Sequence, residues 1–490
     1  MAEYSGVSLR ALLENRMRSY NLSEIDILPG FRGFSRAETS VDVSGQFSRD
    51  IYLKLPIVTA PMPDVTDAHI AIVAARNGGL GIIPATFSPE DQADKVREVK
   101  KSEGGFIENP FNLSLDDTIG KALSAPYSNI PVVEGKKLVG MFVFAQYGEY
   151  FYRQSKDFPI STAMLTDLSR IAVSPEDIKV EGALNFQRAQ AIMEERIIPA
   201  LAVVNNNGEL LYLVTMKDVA SKETYYPDAT RDGKNRLCVG AAILEYMTEG
   251  NLRRMKLLAD AEVDVFVIEQ AHAWNIDAGK LTKYLKSAYP HINIVPGNDS
   301  VARAVLFHQK NGADGVKIGQ GPGSICITGD EDVIGLWRPQ LSAVFDCARA
   351  AKMGGIPCTS DGGIKAPYDA FKVFCAGASA VMLGGLVAAT KDSPAKEGES
   401  GKKIYRGMGS PELVKANSTA FEKYNQGTFI PEGKLDILLI TTSFEDFLRG
   451  FKAKLTRIFE RYGAENLSNL HEKLFNGEIR AQYTHNRSTR

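Results

Sequence analysis

A (β/α)8 barrel interrupted by an inserted second domain is the architecture this sequence predicts, and three observations predict it. Eight short β-branched or apolar runs alternate with helical patterns through most of the 490 residues, the signature of parallel βα units. One interval between consecutive runs, residues 86–236, is far too long for a connection and carries strand and helix patterns of its own. One run, finally, opens into a glycine-rich loop, where barrels of parallel strands place their chemistry.

The strand candidates, in order, are PIVTAPM (56–62), GLGIIPA (79–85), LCVGAAI (237–243), VDVFVIEQA (263–271), INIVPGN (292–298), GVKIGQ (315–320), IPCTSDGG (356–363) and AVMLGG (380–385). Most end in small, polar or glycine residues, as strands do where they feed catalytic loops. HIAIVAARNG (69–78) and SVARAVLFHQKNG (300–312) each carry an apolar stripe at helical spacing and stop at glycine. Within the long interval a pattern repeats: residues 114–144 and 183–219 each read helix, strand, turn, strand, with turns at Glu134-Gly135 and Asn207-Gly208. Beyond Gly385, SPAKEGESGKK (393–403) reads as an exposed polar loop and FEKYNQGTFIPEGK (421–434) as a mobile flap. SFEDFLRGFKAKLTRIFERYG (443–463) is amphipathic and predicts a helix packed on the barrel exterior. The predicted division is 1–103 for the first part of the barrel, 104–225 for the insert (104–160 and 161–225), 226–404 for the rest of the barrel, and 405–490 for flap and C-terminal segment.

Composition narrows the function. A net charge of −2 leaves no nucleic-acid or membrane footprint. The N-terminal MAEYSGVSLRALLENRM lacks a signal-peptide core, no stretch is long enough to span a bilayer, and the reading is a cytoplasmic protein. Five cysteines (238, 326, 347, 358, 375), odd in number, sit in apolar surroundings without metal-ligand spacing and read as reduced thiols.

The chemistry concentrates in GVKIGQGPGSICITG (315–329). Glycines 319, 321 and 323 permit backbone conformations closed to other residues, and their N–H groups can converge on an anion such as phosphate. Cys326 stands among them with Ser324 and Thr328 on either side. A lone cysteine is usually a small inert core residue, but one presented by an anion-binding loop is a candidate nucleophile once its field makes it a thiolate.

GPGSICIT closely resembles the active-site loop of the IMP dehydrogenases and GMP reductases. The resemblance continues in APMPDVTD (60–67), SDGGI (360–364), VMLGG (381–385) and YRGMGS (405–410), in the family's order. It implies that Cys326 bonds to C2 of a purine nucleotide. It further implies a phosphate held by Ser324, Gly363, Gly384 and Gly385, a ribose on Asp361, a substrate contact from Gly362, phosphate and base contacts from Tyr405, Gly407, Met408 and Gly409, and base contacts from Met62 and Glu432. Thr328 with Lys423-Tyr424 stands where the family activates water, Lys423 replacing its usual arginine. Glu269, Asn298 and Gly319 fall on the cofactor side, and the carbonyls of Gly321, Gly323 and Cys326 could hold K+.

Further departures are Glu269 for the family's aspartate, Gly329 for the arginine after Cys-x-Thr, and a stretch to Arg338 about two residues longer than usual. The insert resembles a tandem pair of CBS modules for an adenine or guanine nucleotide. Thr215 and Asp218 match its ribose-binding pair in the second copy, where the first has Val143 and Gln146; the same two residues would also serve as a helix cap. The resemblance implies NAD-dependent oxidation of IMP to XMP in guanine nucleotide biosynthesis by a homotetramer or octamer. The alternatives are NADPH-dependent reduction of GMP to IMP and ammonia, and a nucleotide-binding regulatory paralogue without turnover.

Overall fold

The computed structural model describes residues 7–15, 18–35, 39–102, 106–108, 110–125, 127–146, 155–180, 183–216, 226–399, 401–417 and 429–484. The chain divides into two compact units, one of residues 1–99, 228–230 and 238–490, the other of residues 100–227 and 231–237.

The first unit is a closed barrel of eight parallel strands. They are β1 (Ile57–Thr59), β2 (Leu80–Ile83), β3 (Gly240–Ile243), β4 (Val265–Glu269), β5 (Asn293–Asp299), β6 (Val316–Ile318), β7 (Cys358–Asp361) and β8 (Ala380–Leu383). The ring closes where β8 pairs with β1, Val381 opposite Ile57. All eight fall inside the runs read from sequence except that β5 extends one residue further, to Asp299. Burial on both faces explains why those runs are almost continuously apolar rather than alternating.

The helices follow their signals. Helix α1 (Ala68–Arg76) begins where the Asp67 side chain accepts the Ile70 N–H at 2.9 Å. It ends at Gly78, whose φ of +82° suits glycine. The later barrel helices are α2 (Glu249–Asp260), α3 (Ile276–Ala288), α4 (Ala302–Lys310), α5 (Gln340–Met353), α6 (Pro367–Cys375) and the single turn α7 (Gly385–Ala388). The C-terminal amphipathic segment forms α8 (Phe444–Tyr462), capped by Ser443 and stopped at Gly463. Its buried stripe packs on the barrel exterior, with the Phe459 and Tyr462 rings each 5.3 Å from Phe371 of α6.

Two expectations are corrected. Residues 393–403 are not simply an exposed loop: Ser393, Ala395 and Lys403 are buried, and Lys402–Arg406 forms strand β9, paired antiparallel with β10 (Leu435–Leu439). The charged composition misled because the Lys403 ammonium finds a shell of backbone carbonyls. The segment read as a flap also has a fixed part, since Glu432 to Lys434 pair with the cysteine loop; residues 418–428 lie outside the described ones.

The second unit holds two copies of a helix–strand–turn–strand pattern. The first runs Ile119–Ser124, Asn129–Glu134 and Lys137–Val143; the second runs Phe186–Arg196, Ala200–Val204 and Leu210–Thr215. Their turns use Gly135 and Gly208 at φ +64° and +77°. Leu138, Met141 and Val143 share an apolar cluster with Ala200, Ala202 and Leu213, so each copy covers the other's sheet.

Candidate active site

At the C-terminal ends of the barrel strands lies a cavity of about 490 Å³. Around it the structure gathers Cys326, Thr328, Met62, Ser324, Asp361, Gly362, Gly363, Gly384, Gly385, Tyr405, Gly407, Met408, Gly409 and Glu432, residues that span most of the barrel sequence. Glu269, Asn298, Gly319, Gly321 and Gly323 line it as well. Lys423, Tyr424 and Asp218 fall outside the described residues, and Thr215 ends a strand of the second unit.

Cys326 is held from both sides. Its own N–H donates to the Gly323 carbonyl at 3.1 Å, closing the turn of the loop. The neighbouring Ile325 carbonyl accepts from Lys434 and the Ile327 N–H donates to Glu432, both at 3.0 Å, so the loop and residues 432–434 run as a short antiparallel ladder. The Cys326 Sγ lies 3.3 Å from Thr328 Oγ1, and that hydroxyl donates to Glu432 Oε2 at 3.0 Å. Thiol, hydroxyl and carboxylate thus form one line of proton-exchanging groups facing the cavity. The thiol is partly exposed, whereas Cys238, Cys347, Cys358 and Cys375 are buried. Burial pushes the Cys358 thiol up to about 12, and those of Cys347 and Cys375 well above the ordinary thiol range.

Asp361 ends β7 with its carboxylate toward the cavity. It accepts from Asn298 Nδ2 at 2.9 Å and from Lys317 Nζ at 2.8 Å, while Lys317 also lies 3.2 Å from Glu269. Lys317 is fully buried. Burial alone would lower its pKa, but the charges of Asp361 and Glu269 outweigh this and raise it. Sequence reasoning passed over Lys317, although a lone cation in the apolar run GVKIG was a signal that the barrel interior holds countercharge. Gly319 has no room for a Cβ, which would stand 1.9 Å from the Asp361 carbonyl. Gly362 and Gly363, at φ +91° and +80°, turn the chain under the loop.

On the opposite wall, buried Tyr405 aims its hydroxyl at Met62 Sδ, 3.6 Å away, and burial raises its pKa. Gly384 must lack a side chain, because a Cβ there would meet that hydroxyl at 2.5 Å. Asp64, buried in the Met62 loop, receives the backbone N–H and guanidinium of Arg406 and so ties that loop to the Tyr405 strand. The lengthened stretch after the cysteine loop has its own explanation. Trp337 lies against Gly329 and Gly321, where a Cβ would meet it at 3.1 and 2.8 Å. A side chain at 329 would press on the Trp337 side chain.

A protein-family model for the IMP dehydrogenase / GMP reductase domain matches residues 20–485. The chain belongs to the IMP dehydrogenase / GMP reductase family. Membership makes it an oxidoreductase. Among curated members of the family, the inosine-5'-monophosphate dehydrogenase of Aquifex aeolicus is 35% identical over 445 residues, 88% of each chain. That of Bacillus subtilis is 36% identical over 405 residues, 80% of each. Among solved structures of the family, a GMP reductase from Trypanosoma brucei in complex with guanosine 5'-monophosphate superposes with a TM-score of 0.78 at 28% identity, covering 96% of both chains. Among the described residues no helix is long and apolar enough to cross a membrane.

Proposed function

We propose that this chain oxidises inosine 5′-monophosphate to xanthosine 5′-monophosphate with NAD as hydride acceptor, through a covalent bond between Cys326 and C2 of the base. The observation that carries this reading is the line from Cys326 through Thr328 to Glu432 at the wall of a nucleotide-sized cavity. The glycine turns at 363 and 384–385 and Ser324 suit a phosphate, and Asp361 suits the ribose hydroxyls as an acceptor. Tyr405 and Met62, joined by a 3.6 Å hydroxyl–sulfur contact on the cavity wall, supply apolar surface for the purine.

In this mechanism the Cys326 thiolate adds to C2 and hydride leaves C2 for the nicotinamide, giving a thioimidate. Water then attacks C2, the S–C2 bond breaks, the sulfur leaves as thiolate, and the proton lost by the water goes on to solvent. Thr328 takes the proton of the attacking water as it passes its own to Glu432; Lys423-Tyr424 is this chain's match to the arginine–tyrosine pair that the family uses for that task. NAD supplies the hydride sink when bound. For its ribose the chain offers Glu269, whose Oε2 is buried and ion-paired to Lys317 yet without an aligned hydrogen bond, beside Asn298 and Gly319. A K+ ion would draw on the carbonyls of Gly321, Gly323 and Cys326, of which that of Gly323 already accepts the Cys326 N–H.

A second reading, reduction of GMP to IMP and ammonia with NADPH, draws support from the same Thr328–Glu432 pair, which can protonate departing ammonia without a water-activating arginine. Gly385 and the PQLSAV that opens α5 also favour it. The insert is read as a tandem CBS pair spanning about residues 104–225 that binds a purine nucleotide, and the assembly as a cytoplasmic homotetramer or octamer. The test follows reduced nicotinamide by absorbance with IMP plus NAD and, separately, GMP plus NADPH, for wild type and Cys326→Ala. A cysteine-dependent rise with XMP formed supports the oxidation; a cysteine-dependent fall with ammonia released replaces it with the reduction. Tight IMP binding without turnover in either direction would overturn both.

A further inference from the structure

The structure assigns to Lys403 the part of a tethered monovalent cation that sets the height of the Tyr405 strand over the glycine turn at 384–385. This rests on the reading of that turn as the phosphate site. Lys403 is 1% exposed, and its Nζ lies 2.8 Å from the Thr390 carbonyl, 2.9 Å from that of Lys391, and 2.7 and 2.8 Å from the carbonyl and hydroxyl of Ser393. The carboxylates of Glu397, Asp392 and Asp67 act on it only through space, none forming an ion pair with it among the described residues. An ammonium with three donors among four neutral oxygens is coordinated much as a bare ammonium or potassium ion would be.

The strand geometry gives the cage its purpose. Lys403 and Tyr405 are two residues apart on β9 and point to the same, buried face. Tyr405 places its hydroxyl over Gly384, where α7 begins, and Lys403 grips Thr390, Lys391 and Ser393, just beyond where α7 ends. Two residues of strand rise about 6.6 Å and one helical turn about 5.4 Å, so the two side chains bracket the turn along its length. The Ser393 hydroxyl passes the connection inward by donating to Ala388 at 2.6 Å. Lys403 touches no reacting atom; it is a positioning residue.

The test uses the full chain with Lys403→Ala, which empties the cage, and Lys403→Met, which fills it without charge. Both variants should raise KM for the nucleoside 5′-monophosphate roughly tenfold or more, with KM for the nicotinamide cofactor changed less than about threefold. Methylammonium should return the Ala variant toward wild-type KM, leave the Met variant uncorrected, and do nothing to wild type. Nucleotide KM values within about threefold of wild type in both variants overturn the assignment, as does a rise in the Ala variant that methylammonium leaves untouched. If the Ala variant does not fold, the Met variant decides by its two KM values alone. Hydrogen exchange without nucleotide separates this claim from the purine reading: amides of 384–390 and 402–406 should exchange faster together in the Ala variant and recover with methylammonium. Unchanged exchange would sink the bracket even if the enzyme proves to use another substrate.

Discussion

Replacing Lys317 with methionine should destabilise the barrel in a pH-dependent way. The ammonium is wholly buried and faces Asp361 at 2.8 Å and Glu269 at 3.2 Å. Breaking a buried pair by removing one partner costs about 3–5 kcal/mol. Here the two carboxylate side chains are 21% and 20% exposed, so water takes over part of the lost interaction. That brings the expected loss to about 2–3 kcal/mol. With an unfolding entropy of ~2.1 cal/mol/K per residue, a unit of this size should melt about 3–4 °C lower.

The sign of the pH dependence is fixed. In the wild type the raised Lys317 pKa contributes stability that is complete below the unfolded lysine value and lost as pH rises through the folded one. Methionine at 317 holds no such proton, so the deficit should be constant below the unfolded lysine value of 10.5 and shrink as pH rises beyond it through the folded one, by at most about 1.4 kcal/mol per pH unit. Differential scanning calorimetry of both proteins from neutral pH to above that value measures it. A deficit that stays constant above that value, or that grows there, would refute the reasoning.

Three further outcomes are expected. Glu432→Gln should lower turnover by about a hundredfold, because the Thr328 hydroxyl loses the carboxylate that takes its proton; a steady-state comparison checks it. Burial alone would raise the Asp232 pKa, but the Lys100 and Arg236 charges bring it below the ordinary carboxylate range. Its stabilisation of the second unit is thus present above the unfolded value of 3.8 and lost as pH falls through the folded one, so Asp232→Asn should abolish part of that unit's acid sensitivity in an acid-unfolding titration. Iodoacetamide at neutral pH should alkylate Cys326 first, with the four buried thiols unmodified until the protein unfolds, as peptide mapping will show.

Much of the fold was legible because parallel strands buried on both faces announce themselves as apolar runs, and glycine stops mark the helices between them. The cysteine loop was legible for a related reason: glycines at 319 and 321 are needed for φ values of +155° and +86°. What escaped the sequence depends on partners distant in the chain. Lys403 looked like loop charge because nothing local reveals a cage of carbonyls ten or more residues upstream. Lys317 shows its charge but not the two carboxylates that meet it across the barrel. Gly329 shows the missing side chain but not Trp337, eight residues on, whose side chain lies against it.

The measurement that bears most directly on the central claim is rapid-quench mass spectrometry of the enzyme during turnover. With IMP and NAD, or with GMP and NADPH, a purine nucleotide should be found attached to the peptide carrying Cys326 and be absent from Cys326→Ala. Turnover at wild-type rate in Cys326→Ala, or an adduct on any other residue, would contradict the account.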